Sequence, residues 1–384
     1  MRRVVLPLLL TASACATAYA PRPYEPVPET PPAEVAAVLF LVGDAGDARF
    51  ESAPLIHKLR ADVEWWSGAL AADSAVTVVF LGDNIYPSGL HERSHQAYPA
   101  DSARLHAQVR VVDGAVARAR GARALFVPGN HDWGNTGGPR GRARLANQER
   151  ALGSFARTGP SVAMVPAGGS SGPTVVDLTD DVRLLALDTS WWLSNESPDE
   201  RAAVLARVRS ALDDAGGRTV VVVAHHPYVT AGPHNGRLAT GFDIVSPLRR
   251  AGAVLEDINS GRYRELRTGL QEVFARAGEP LLFAAGHDHS LQLHAGSSEG
   301  DPTWTLVSGA GSKRTGVAEM EGLAWASLRP GYIRLVFRHD GAVDLFAEAV
   351  VPSYLRCEGD AEALRACVAA GVSAFSTVYS RALR

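Results

Sequence analysis

Between residues 36 and 286 the chain repeats one local pattern: a short apolar run, a turn carrying polar residues, then a longer amphipathic stretch. The runs AAVLFLV (36–42), VTVVFL (76–81), ALFVP (124–128), VRLLALD (182–188), TVVVVA (219–224) and PLLFAAG (280–286) read as strands. Helical periodicity is expected around 52–72, 101–120, 141–157, 199–215 and 266–277. Strands apolar along both faces, alternating with helices, require sheets covered by helices, so the class is α/β. The later runs TWTLVSG (303–309), YIRLVFR (332–338) and AVDLFAEAV (342–350) follow without helices between them. They predict a second sheet or an antiparallel continuation. With no internal repeat, residues 35–350 are expected to form one domain.

Five strand ends carry chemistry. Gly43-Asp44-Ala45-Gly46 closes the first strand and Gly82-Asp83-Asn84-Ile85-Tyr86 the second. Gly129-Asn130-His131-Asp132, His225-His226-Pro227 and Gly286-His287-Asp288-His289 close three others. Ligands of open α/β sheets bind outside the carboxyl ends of strands. Glycine ahead of the polar residue lets the backbone turn and approach a ligand. Carboxylates, an amide, imidazoles and a phenol make a mixed oxygen and nitrogen donor set, suited to two hard-to-borderline cations rather than to a thiolate zinc site. Alternation along the chain predicts His287 and His289 on one strand face. His226 is read as structural, and Trp133, Trp191 and Trp192 as packing residues.

The series GDAG, GDNIY, GNHD, VAHH-P and GHDH resembles that of the purple acid phosphatases, within the calcineurin-like metallophosphoesterases. It is most similar to the short, tartrate-resistant type. LALDTS (185–190), HDHSLQL (287–293) and VSGAGSK (307–313) extend the likeness over roughly residues 36–315. The resemblance implies a four-layer α-β-β-α sandwich with two mixed β-sheets. It implies a ferric ion held by Asp44, Tyr86 and His289, and a divalent ion (Fe, Zn or Mn) held by Asn130, His225 and His287, with Asp83 bridging. His131 and, less directly, His234 would serve as catalytic imidazoles. The implied reaction is hydrolysis of small phosphate monoesters by a metal-bound hydroxide. A phosphodiesterase or nucleotide hydrolase of the same superfamily and a non-catalytic metal-binding surface lipoprotein are the alternatives. The chain departs from the short pattern between His234 and His287, where the segment 237–266 is extra.

Before the first strand, Arg2 and Arg3 precede the apolar run Val4 to Leu10, with small residues following. That order is a secretory signal over residues 1–14. Ala12-Ser13-Ala14-Cys15 resembles a lipobox ending at a lipidated Cys15; cleavage after Ala18 is the alternative. The proline-rich stretch that follows reads as an extended tether over 15–34. An exported bacterial protein follows, periplasmic or lipid-anchored to the outer membrane, alternatively secreted. Cys357 and Cys367, in a C-terminal extension over 351–384, suit a local disulfide in an oxidising compartment. A net charge of -3 with a sequence pI of about 6.5 gives no electrostatic case for nucleic-acid binding.

Overall fold

The computed structural model describes residues 18–47, 54–116, 122–156, 161–236, 248–249, 251–350 and 375–384. The signal segment with Cys15, the pair Cys357 and Cys367, and much of the extra segment (237–247) lie outside the described residues.

Two seven-stranded mixed sheets form the centre of the molecule. The first runs in the order β14 (Phe375–Ala382), β13 (Val343–Val350), β12 (Gly331–Arg338), β1 (Val35–Val42), β2 (Ala75–Phe80), β3 (Arg123–Phe126), β4 (Ser161–Met164). Strands β1 to β4 are parallel, while β12 pairs antiparallel with β1 and begins the antiparallel half. The second runs β11 (Leu323–Ser327), β9 (Leu291–Ala295), β10 (Trp304–Ser308), β8 (Leu282–Ala285), β7 (Thr219–Val223), β6 (Val182–Ala186), β5 (Thr174–Thr179). Here β6, β7, β8 and β10 are parallel, with antiparallel strands on both flanks.

Period-two alternation sorts the strand residues into two cores. Ala37, Leu39 and Leu41 of β1 pack between the sheets with Leu184, Val221, Val223, Leu282 and Leu345. Val38, Phe40 and Val42 point the other way, into the cluster that holds the helix residues Leu59, Val63, Leu105 and Leu145. The helices α1 (Pro54–Ala69), α2 (Tyr98–Val109) and α3 (Gly138–Ala156) follow strands of the first sheet. The short α4 (Thr189–Ser194), α5 (Pro198–Asp213) and α6 (Gly261–Ala277) follow strands of the second. The result is an α-β-β-α sandwich. Local chemistry sets the helix starts: Ser197 and Ser260 accept from Glu200 N and Tyr263 N at 3.3 and 3.2 Å. Each such cap contributes about 1 kcal/mol. No helix among the described residues is long and apolar enough to cross a membrane.

Two peripheral segments differ from expectation. Residues 18–31, read as a tether, lie against the domain: Tyr19 N donates to Val317 O at 3.0 Å, Val27 N to Ser380 Oγ at 2.9 Å, and Thr30 Oγ1 to Asp344 Oδ2 at 3.2 Å. Prolines keep the segment extended, and polar partners on the domain satisfy its backbone. At the other end, residues 375–384 of the expected extension supply β14, which pairs with β13 and forms the outermost strand of that sheet.

Candidate metal centre

All five polar motifs arrive at one edge of the sandwich, three from the first sheet and two from the second. Asp44 follows β1, Asp83 and Tyr86 follow β2, and Asn130 follows β3; His225 follows β7, and His287 and His289 follow β8. Asp44, Asp83 and His287 have φ of 58°, 54° and 69°, the left-handed region. Non-glycine residues held there cost on the order of 1 kcal/mol or more, and such residues cluster at functional sites. Close approach explains two glycines. A Cβ on Gly129 would meet Asp83 N and Oδ1 at 2.3 Å, and one on Gly286 would meet Asp44 Oδ2 at 2.6 Å.

The carboxylates tie the motif loops together. Asp44 Oδ2 accepts His287 N at 2.8 Å, and Asp83 Oδ1 accepts His131 N at 3.0 Å. Asp132, for which the motif suggested no role, accepts Gly129 N at 2.8 Å, Asn84 N at 3.1 Å, Ile85 N at 3.2 Å and Asn84 Nδ2 at 3.0 Å. It clamps the loop after β2 to the loop after β3. Burial pushes its carboxyl up to about 7. Asp288 does a similar task, accepting Thr230 Oγ1 at 2.5 Å and His234 N at 3.4 Å.

The seven candidate ligands form two abutting groups. In the first, Tyr86 Oη donates to Asp44 Oδ1 at 2.9 Å and lies 3.3 Å from His289 Nε2, itself 3.5 Å from Asp44 Oδ1. In the second, His225 Nε2 lies 3.0 Å from Asn130 Oδ1 and 3.2 Å from His287 Nδ1. Asp83 Oδ1 lies 3.3 Å from the same nitrogen. Ligand atoms of Asp44, Asp83 and His225 all lie within 4.8 Å of one another, joining the groups. His287 and His289 do not share a strand face: they sit in the turn between β8 and β9 and serve different groups. The left-handed φ at His287 breaks the alternation.

Hydrogen bonding shows that the second group fits a cation. Nδ1 of His225 faces Leu81 O at 2.8 Å, and Nε2 of His287 faces Glu256 O at 3.0 Å. A ring nitrogen facing a carbonyl carries the proton, so the other nitrogen of a neutral ring is a lone pair. Both amide hydrogens of Asn130 are spent, on Asn135 Oδ1 at 2.9 Å and Glu256 Oε2 at 3.1 Å, leaving Oδ1 turned inward. Asn130 Oδ1, His287 Nδ1 and the Asp83 carboxylate thus gather 3.0, 3.2 and 3.3 Å from the buried Nε2 of His225. Acceptors gathered so closely in a buried place call for a positive charge among them. The electrostatics agree. Burial opposes a charged His225, yet Asp83 and Asp44 hold its pKa above the ordinary value, so without a metal ion the acceptors draw a proton onto this ring, the positive charge that a bound cation would replace. Burial and the neighbouring imidazoles His234, His226 and His225 keep His287 well below it, hence neutral. Burial, with Asp44 and Asp83 adding to it, raises the Tyr86 phenol well above 10.0. Without a cation Tyr86 stays a donor.

The flanking imidazoles are oriented too. His131 Nδ1 faces Pro87 O at 2.6 Å, which leaves Nε2 on the side of Asp83, 3.7 Å from Oδ2. His234 places its ring 3.8 Å from that of His287 and its Nδ1 2.6 Å from Asp257 Oδ1. His226 is buried, with Nδ1 2.8 Å from Thr189 Oγ1. Its Nε2 has no hydrogen-bond partner among the described residues, and it groups with His225 and His287 as a further possible donor. Trp133, Trp191 and Trp192 are buried, and Trp133 Nε1 donates to Asp188 Oδ2 at 2.9 Å. Sequence reasoning missed Glu256 and Asp257, which no motif marks. It also missed Lys313, whose Nζ lies 3.2 Å from the centre of the Tyr86 ring.

No family model matches the chain, and no curated protein matches it. Solved structures do. One is GAP50, the anchor in the inner membrane complex of Plasmodium, with a TM-score of 0.54 and 13% identity over 91% of this chain and 89% of that one. Another is the purple acid phosphatase PPD1 from yellow lupin (Lupinus luteus) seeds, with a TM-score of 0.50 and 14% identity. That match covers 83% of this chain and 52% of the lupin chain, so the protein spans about half of its length. At such identities the likeness is one of fold, and the fold is metallophosphoesterase-like.

Proposed function

We propose that the protein is an exported acid phosphatase that hydrolyses small phosphate monoesters at a two-metal centre. One observation carries this reading: the acceptors of Asn130, His287 and Asp83 gather within 3.0–3.3 Å of the buried His225 Nε2, beside the Asp44–Tyr86–His289 group. Asp44, Tyr86 and His289 would hold a ferric ion, and Asn130, His225 and His287 a divalent one (Fe, Zn or Mn), with Asp83 shared. Such a pair, when bound, neutralises phosphate oxygens and makes water acidic enough to attack near neutral pH. The chain's own residues do the rest. Asp44 ties the two halves of the site together through the His287 N–H, and Asp83 fixes the His131 loop through its N–H. His131, with Nδ1 fixed on Pro87 O, presents Nε2 to protonate a departing alkoxide. His234 presents its own Nε2, since Asp257 occupies Nδ1.

Two imidazoles able to deliver a proton favour monoesters over the phosphodiester or nucleotide alternative, which the same centre would otherwise serve. A second reading, binding without turnover, draws support from the GAP50 likeness, because that protein is an anchor. Hydrolysis of an aryl phosphomonoester and the matching diester from acidic to neutral pH separates the three. Monoester turnover greatest in acid supports the phosphatase; diester preference or no turnover in metal-loaded protein supports the others. Export with a lipid at Cys15 is part of the proposal, and mass spectrometry of the mature N-terminus tests it.

A further inference from the structure

The segment that precedes α6 reaches the metal centre through one residue. Its placement is fixed on both sides: Asp257 is fully buried against His234, and Ile258, also buried, donates its N–H to His234 O at 3.2 Å. Between this anchor and the turn at Gly252, Glu256 makes two contacts with different ligands of the same group. Its Oε2 accepts Asn130 Nδ2 at 3.1 Å, and its carbonyl oxygen accepts His287 Nε2 at 3.0 Å.

Each contact decides which atom faces the ion. An amide flip at Asn130 would set its oxygen against Glu256 Oε2 and Asn135 Oδ1, two acceptors, so the oxygen is forced inward. A proton moved to His287 Nδ1 would leave Nε2 without its bond to the Glu256 carbonyl. We propose that Glu256 is a positioning residue for the Asn130–His225–His287 site, holding Asn130 with its carboxylate and the His287 tautomer with its carbonyl. The inference rests on the phosphoesterase reading in one respect only, that an ion occupies this site. Outer groups of this kind typically change metal affinity by roughly 10–100-fold.

The test is retention of Mn(II) or Zn(II) by the full protein, dialysed against a graded chelator and measured by elemental analysis, with Glu256→Ala and Glu256→Gln alongside. Glu256→Ala keeps the backbone carbonyl and isolates the carboxylate. Wild type should keep two ions. Glu256→Ala should release one of them at roughly 10–100-fold lower chelator while keeping the other. Glu256→Gln, which still offers an acceptor oxygen, should stay close to wild type, and circular dichroism should be unchanged in both. Glu256→Ala holding both ions as tightly as wild type would overturn the proposal and leave the phosphoesterase reading intact. Equal losses in the Ala and Gln variants would point to charge rather than orientation, and simultaneous loss of both ions or of the fold to a structural role; either defeats it. Wild type that takes up neither metal would sink the underlying reading as well.

Discussion

His234 Nδ1 lies 2.6 Å from Oδ1 of Asp257, a carboxylate with no solvent exposure. A His otherwise on a surface loop is thereby held with one ring nitrogen occupied and its ring against His287. In the proposed reaction the pair would be a positioned proton donor and its orienting group. Asp257→Ala should lower kcat toward the His234→Ala value, up to about 10²-fold, with a smaller change in KM. Steady-state kinetics of the two single variants and the double variant test this. Full additivity in the double variant would show that the residues act separately.

Tyr86 donates to Asp44 in the absence of a cation, and burial together with Asp44 and Asp83 keeps its phenol protonated. Binding as phenolate on ferric iron requires that proton to leave, and the product should absorb visible light. Iron-loaded wild type should be coloured and iron-loaded Tyr86→Phe colourless. The same visible band in both would remove Tyr86 from the ferric site.

Asp188 caps α4 by accepting Trp191 N at 2.9 Å and also accepts Trp133 Nε1. Burial pushes its carboxyl up to about 7 from an ordinary 3.8. Between those values the folded state binds the proton that the unfolded chain has lost, so its contribution to stability falls as pH rises from about 4 to about 7. Asp188→Asn keeps an acceptor and removes the titration. Its stability relative to wild type should therefore increase from pH ~5 to pH ~8. Denaturant unfolding in chelator at both pH values checks the sign; a constant difference would show that Asp188 does not titrate in this window.

Much of this was legible in the sequence. Strands β1, β2, β3, β6, β7, β8, β10, β12 and β13 coincide with apolar runs, because buried strands in covered sheets must be apolar on both faces. The missed strands have reasons. β5 is an edge strand with alternating exposure, β4 alternates exposed and buried residues, β11 is interrupted by half-buried positions, and β9 follows the His289 turn with Gln292 and His294 buried inside it. The seven candidate ligands were legible because all lie in polar motifs at strand ends, four of them (Asp44, Asp83, Asn130 and His287) directly after a glycine, and the parallel topology brings those ends to one edge. Glu256 and Asp257 were not. They belong to an irregular segment, and only tertiary packing against His234 and Asn130 gives them a role.

Gly129 packs where no side chain fits, with Asp83 at 2.3 Å from a would-be Cβ. Gly129→Ala must displace the loop that carries Asn130 and His131. Overpacking of this kind costs about 1–3 kcal/mol. The variant should show a lower midpoint in denaturant and weakened retention of the ion at the Asn130 site. Unaltered stability and metal content would mean the two loops are not locked together as described.

Asp83, shared by both ligand groups, is the residue on which the proposed phosphoesterase chemistry depends most. The most direct measurement is aryl phosphomonoester hydrolysis by metal-loaded wild type and Asp83→Asn, with metal content determined on the same samples. The account predicts turnover in wild type, and loss of both turnover and ions in the variant. A wild-type protein that holds two ions yet hydrolyses neither monoester nor diester would contradict it.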